Sequence, residues 1–229
     1  MRATLRLFPA FLLASLSIAA PARADLVLSQ VVVDLTPDAP PRADIEALNN
    51  GPDRMYVIAE PAEIIAPGTA AEHRVSTPDP AALGLLVTPQ KLILEPGQRE
   101  LIRIASIVPR ATRERIYRIT VKPVAGTVTA GGSALKILVG YDVLVIVRPT
   151  VLTGTINAQR QDGTIVLRND GTTNVELYEG KQCAAGGKDC KPLPPKRLYA
   201  GASWEQPIDA ARPVEYRIKT GKTTEVKTF

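Results

Sequence analysis

Residues 135–149 read LKILVGYDVLVIVRP. In this run one parity collects Leu135, Ile137, Val139, Tyr141, Val143, Val145 and Val147, and the other collects Lys136, Leu138, Gly140, Asp142, Leu144 and Ile146. Apolar residues at every second position are the signature of a strand, because successive side chains point to opposite faces. The first face is apolar throughout, while the second is polar at its start and increasingly apolar toward its end. A strand from 135 to 147 has about 13 residues, well beyond the usual five or six. As an interior strand it would be covered on both sides and carry no function. As an edge strand it would offer Leu135, Ile137 and Val139 together with unpaired backbone groups. Periodicity does not choose between the two. Arg148, Pro149 and Thr150 end the run, since proline has no N–H for a ladder and restricts the residue before it, and a domain boundary is expected there.

Upstream of this run, short β-type segments alternate with turn signals. They are Val27 to Asp34, Ala43 to Ala47 closed by Asn49, Asn50 and Gly51, Met55 to Ala62, 84–87, 91–94 before Glu95, Pro96 and Gly97, Arg99 to Ser106, and Ile116 to Pro123. Seven or eight strands in about 125 residues is the count of an immunoglobulin-like sandwich. Downstream, Ile156 to Asn157, Thr164 to Arg168, Asn174 to Glu179, Arg197 to Tyr199, Glu215 to Lys219 and Thr223 to Thr228 predict a second, smaller β domain over 150–229. The 20 prolines scattered along the chain oppose a helical bundle, because each interior proline costs a helix about 3 kcal/mol.

Residues 1–24, MRATLRLFPAFLLASLSIAAPARA, have Arg2 and Arg6, then an apolar run, then Ala22, Arg23 and Ala24. This is the pattern of a secretory signal cleaved after Ala24, and its apolar run is short for a bilayer span. Its removal takes away three arginines and no acid, lowering the formal charge from +5 to +2. So small a charge, without a basic stripe interleaved with aromatics, argues against nucleic acid. No membrane insertion is expected for the mature chain, 25–149 forming the first domain.

The single histidine, His73, lies in a polar stretch. It excludes sites needing two imidazoles and leaves one candidate triad base. There is no G-x-S-x-G, and Gly221, Lys222 and Thr223 lack the first glycine of a phosphate loop. Ala130 to Ser133 reads as a hairpin loop. An enzyme is not expected, and no cofactor or metal is implied. Cys183 and Cys190, with six residues between them across a glycine-containing turn, are expected to form a disulfide in an exported chain.

Several segments in order resemble the periplasmic chaperones of the chaperone-usher pathway, the PapD-like family. Thr88 to Gln98 (TPQKLILEPGQ), followed by Ile102, Arg103 and Ile104, is similar to the family's P-P-x-x-x-x-L-x-P-G-x segment. Arg113, Glu114, Arg115, Ile116 and Tyr117 match its R-E-x-x-(F/Y) strand. Arg148 and Pro149 match the R-P that ends its first domain, and Asn49, Asn50 and Gly51 fit its asparagine-rich turn. Residues 151–229 resemble it more loosely, through Leu167 to Gly171 and Leu198 to Trp204.

The resemblance implies two immunoglobulin-like domains in an L, and a long strand lent, through β-strand addition, to an incomplete pilus or fimbrial subunit. By position the donor residues are Leu135, Ile137 and Val139. It further implies delivery of the subunit to an outer-membrane usher, and an ion-pair trio of Arg103, Glu114 and Arg148 near the junction. Whether free copies cap each other's strand in a dimer is left open. Two positions depart from the family: Gln30 and Leu144 stand where most members place an arginine and a lysine that hold the subunit's C-terminal carboxylate. Arg118, Lys122 and Lys136 are the candidate substitutes, Arg118 and Lys122 sharing one face of a strand. A secreted structural or adhesive β-sandwich protein of a surface assembly is the rival reading.

Overall fold

The computed structural model describes residues 25–124 and 138–229. The expected signal, the hairpin loop at 130–133 and the first part of the long strand lie outside the described residues. The first unit contains β1 (Leu26–Leu28), β2 (Val32–Leu35), β3 (Arg42–Asn49), β4 (Met55–Ile65), β5 (His73–Val75), the short helix α1 (Pro80–Leu83), β6 (Leu85–Thr88), β7 (Lys91–Leu94), β8 (Arg99–Ser106), β9 (Arg115–Val124) and β10 (Tyr141–Val147). The second contains β11 (Ile156–Gln161), β12 (Thr164–Asn169), β13 (Val175–Ala184), β14 (Lys188–Leu193), β15 (Lys196–Leu198), β16 (Ser203–Pro207), β17 (Glu215–Thr220) and β18 (Thr223–Thr228).

In the first unit one sheet has the order β1-β3-β8-β6 and the other β2-β10-β9-β4-β5, with β7 also paired to β4. Alternating side chains of both sheets fill the space between them: Ile45 and Ala47 from β3, Ile102 and Ile104 from β8, Ile119 and Val121 from β9, Val143 and Val145 from β10, all buried. The second unit has the sheets β11-β12-β16 and β14-β13-β17-β18, β15 pairing with β13, around Ile165, Leu167, Leu177, Val214 and Tyr216. Each large apolar side chain removed from water contributes roughly 1.5 to 3 kcal/mol, so the fold rests on these two clusters.

The asparagine turns of the two units are built alike. Asn49 is fully buried; its amide donates to the carbonyls of Asp53 at 2.7 Å and Leu94 at 2.9 Å and its oxygen accepts from Gly51 N–H. Asn169 repeats this with the Thr173 and Leu198 carbonyls and Gly171 N–H. A side chain at Gly171 would overlap the Thr153 carbonyl oxygen, which explains the glycine. Cys183 and Cys190 are bonded across the β13–β14 hairpin, as expected, with their Cα atoms 4.0 Å apart.

Several expected strands differ from the observed ones in their bounds, and two differ in kind. Val27 to Asp34 is not one strand but two: β1 lies in the first sheet, the chain crosses at Ser29 to Val31, and β2 joins the second. The run expected from 135 to 147 is a strand only from Tyr141 among the described residues; 138–140 form none. β5, β14 and β16 have no counterpart among the expected strands. β14 is exposed along nearly its whole length, so no alternation marks it.

Candidate functional site

Among the described residues, β10 is an interior strand for half its length and an edge strand for the rest. On one side it pairs with β9 along its whole length, from Tyr141 opposite Val121 to Val147 opposite Arg115. On the other side β2 pairs with it in parallel, but only from Leu144, opposite Val32, to Val147, opposite Leu35. The sheet switch at Ser29 to Val31 is the cause: β1 is spent on the first sheet, so β2 enters the second too late to cover Tyr141 to Val143. Among the described residues no strand pairs with those three on that side. Beside the gap Val139 is 54% exposed and Val31 and Val32 are 46% and 44% exposed. Of the three expected donor residues only Val139 is described; Leu135 and Ile137, with Lys136, lie outside the described residues.

The apolar drift of the second face of β10 has a direct cause. Leu144 and Ile146 are buried with Ile64 and Ile116 on the outer face of the sheet, and Tyr199 of the second unit packs against this cluster. Burial raises the Tyr199 pKa, the nearby Arg118 and Arg197 opposing the shift. Gly68 of the β4–β5 turn also approaches the ring, a built Cβ lying 3.1 Å from it.

Farther from the junction the same outer face is polar. Arg118 stands opposite Leu144 and donates to the Asp142 carbonyl at 3.2 Å, with its Nε 3.8 Å from the Asp142 carboxylate. Arg74 donates to that carboxylate at 2.7 Å, and Lys122 pairs with Glu60 at 2.9 Å. Gln30 is exposed and Leu144 is 5% exposed, so neither presents a cation. Arg118 and Lys122 thus share the face but hold different internal carboxylates. His73 is exposed in β5, its Nδ1 2.9 Å from the Ala71 carbonyl.

The expected trio of Arg103, Glu114 and Arg148 does not form as one group. Arg103 points outward from β8 into a bidentate pair with Asp44, both bonds 2.9 Å, and this hydrogen bond lowers the Asp44 pKa. The strand alternation that buries Ile102 and Ile104 turns Arg103 to solvent, away from the junction. Arg148 is 4% exposed and makes a bidentate pair with Asp34 at 2.7 and 2.9 Å, while its Nη1 donates to the Thr173 hydroxyl at 2.7 Å. Thr173 in turn donates to Glu114 at 2.8 Å. Glu114 also accepts from the Asn174 amide at 2.5 Å and from Ala200 N–H at 3.3 Å. Asn174 accepts from Arg197, which pairs with Glu176 at 2.7 Å. A continuous polar chain therefore runs from β2 to β13 through Thr173. Sequence reasoning misses Asp34, Thr173, Asn174 and Tyr199; alternation in β2 could have turned Asp34 outward, but no local signal marks the other three.

No family model matches the chain. A CS1 fimbrial subunit of Escherichia coli is 24% identical over 172 residues, which are 70% of this chain and 72% of that protein. The crystal structure of the class 5 fimbriae chaperone CfaA matches with a TM-score of 0.70 at 20% identity, covering 89% of this chain and 98% of that one. A chain of the Salmonella enterica SafA pilin in complex with the SafB chaperone matches with a TM-score of 0.62 at 16% identity, covering 92% and 99%. The chain has the two-unit β fold of the solved fimbrial chaperones.

Proposed function

We propose that the chain is a divergent PapD-like periplasmic chaperone that binds incomplete pilus or fimbrial subunits. The observation that carries this reading is the half-open edge of β10, in a fold shared with proteins described as fimbrial chaperones. A subunit lacking a strand exposes an apolar groove and an unpaired edge, both aggregation hazards, and a strand lent by a second chain fills both. Leu135, Ile137 and Val139 are the donor side chains in this reading, extending the ladder upstream of Tyr141. Apolar burial at roughly 1.5 to 3 kcal/mol per large side chain supplies the affinity without a nucleotide. The protein acts as a binding module rather than an enzyme. Arg118, with Lys122 and Lys136 as the other candidates, holds the subunit's terminal carboxylate in place of the missing cations at Gln30 and Leu144.

Residues 1–24 direct export and are removed after Ala24. Residues 25–149 form the chaperone domain and 150–229 the smaller domain, joined at a junction whose geometry Glu114 and Arg148 set. The subunit passes to an outer-membrane usher, and free copies cap each other's edge as a dimer. The rival reading, a structural subunit with an incomplete first domain, fits less well with a first unit in which two sheets enclose a filled core.

Co-expression with candidate fimbrial subunits tests the proposal. Wild-type chain should give a soluble one-to-one complex and keep the subunit from aggregating, and both Ile137→Asp and Val139→Asp should abolish this while remaining folded. Unchanged complexes in both variants would move the binding surface elsewhere.

A further inference from the structure

We propose that the Arg118 guanidinium is an exchangeable cap on the open edge of β10, displaced when a backbone N–H of an added strand takes the Asp142 carbonyl. The proposal rests on the reading of that edge as the binding surface and adds a residue that guards it and sets its register.

Along β10 the backbone groups that face β2 recur every second residue. Leu144 N–H donates to the Val31 carbonyl at 2.9 Å and Arg148 N–H to the Leu35 carbonyl at 3.1 Å. The same period turns the Asp142 carbonyl to this side, one step beyond the end of β2. A free carbonyl on a strand edge is a template for pairing with another chain, and proteins cover such edges with charged side chains. Arg118 does this here: from its place opposite Leu144 it reaches across β10 and donates to the Asp142 carbonyl at 3.2 Å.

The cap has somewhere to go. The Asp142 side chain lies on the same outer face as Arg118, its carboxylate 3.8 Å from Arg118 Nε and already held by Arg74 at 2.7 Å. When an incoming N–H takes the carbonyl, the guanidinium is released to a carboxylate, that of a subunit's C-terminus where one is present and otherwise that of Asp142 itself, so no charge is left without a partner. Lys122 does not fill this role, because it stands nearer the open end of the ladder and pairs with Glu60. The ligand is therefore a β-strand that presents an N–H in register with Asp142. Its path ends at Leu144, where β2 occupies the column. Proline or an N-methylated residue at that one position is rejected.

The test uses the mature chain and an acetylated, C-terminally amidated ten-residue peptide of alternating valine and threonine with terminal lysines, labelled for fluorescence anisotropy. Amidation removes the carboxylate, so an anchoring role of Arg118 does not contribute. Arg118→Met, which keeps the stem and loses the donors, should bind the peptide about two- to tenfold more tightly than wild type, the range of one net hydrogen bond. It should also self-associate more in sedimentation velocity. Arg118→Gln serves if the methionine variant fails to fold. In wild type the Asp142 carbonyl carbon shift should move on peptide binding, and a single N-methyl scan should find its last sensitive position at the Leu144 end, opposite Asp142. Equal or weaker binding by the variants overturns the cap while leaving the proposed function standing. Absence of binding by wild type and variants alike overturns the open-edge reading itself.

Discussion

Replacing Thr173 by valine removes the one hydroxyl that joins Arg148 to Glu114 across the junction. Thr173 is fully buried, and its one hydroxyl accepts from Arg148 at 2.7 Å and donates to Glu114 at 2.8 Å. Valine keeps the volume and the branching, so packing is conserved and only the two bonds are lost. Arg148 retains its bidentate pair with Asp34, and Glu114 retains Asn174 and the Ala200 N–H. Hydrogen bonds to charged groups contribute about 1.5 to 3 kcal/mol each. Arg148 is too deeply placed for water to substitute freely, whereas the Glu114 carboxylate is partly open, so the expected loss is about 2 to 4 kcal/mol. With a urea dependence of about 1 to 3 kcal/mol per molar, the midpoint should fall by about 1 to 2 M. Because the lost bonds join the units, circular dichroism and the fluorescence of Trp204, the single tryptophan and part of the second unit, should no longer report coincident transitions. Thr173→Ser restores the hydroxyl and should recover most of the loss. A valine variant within about 0.5 kcal/mol of wild type, or a serine variant no better than valine, would refute the role assigned to this bridge.

Gly180→Ala should destabilise the second unit by about 1 to 3 kcal/mol, since a Cβ there would overlap the ring of the buried Tyr216; urea unfolding followed at Trp204 checks it, and an unchanged midpoint would contradict the packing. At the other side of the junction the hydrogen bond from Lys222, then that from Thr36, holds the Asp38 pKa at about 2. The folded value lies below the unfolded value of about 3.9, so this contribution is present above about pH 4 and is lost as pH falls toward about 2. Lys222→Met should return Asp38 toward about 3.9 in a carboxyl carbon titration; a wild-type Asp38 already titrating near that value would remove the pairing.

Some of this architecture is open to reading along the chain. Lys91–Leu94, Arg99–Ser106 and Thr223–Thr228 have the bounds expected of them. In the first two, alternation marks a face in the core, and turn residues close one or both ends. The asparagine turns are legible as turns, but that Asn49 and Asn169 are buried and hold three backbone groups each is not. That role depends on strands brought from 45 and 29 residues away. Motif position groups Arg103 with Glu114 and Arg148, yet strand direction sends it to Asp44, its cross-strand neighbour on β3 in the same sheet.

The sequence by itself determined the all-β class, the break after Val147, the disulfide and the alternation that makes β10 a strand, because each depends on residues near one another in the chain. Only the tertiary structure decided that, among the described residues, β10 is interior at Leu144 to Val147 and open at Tyr141 to Val143. It also decided that Thr173, rather than a direct ion pair, joins Arg148 to Glu114 across the junction. An edge is defined by what lies beside a strand, and here that is β2, far earlier in the chain, whose change of sheet at Ser29 to Val31 no local pattern encodes.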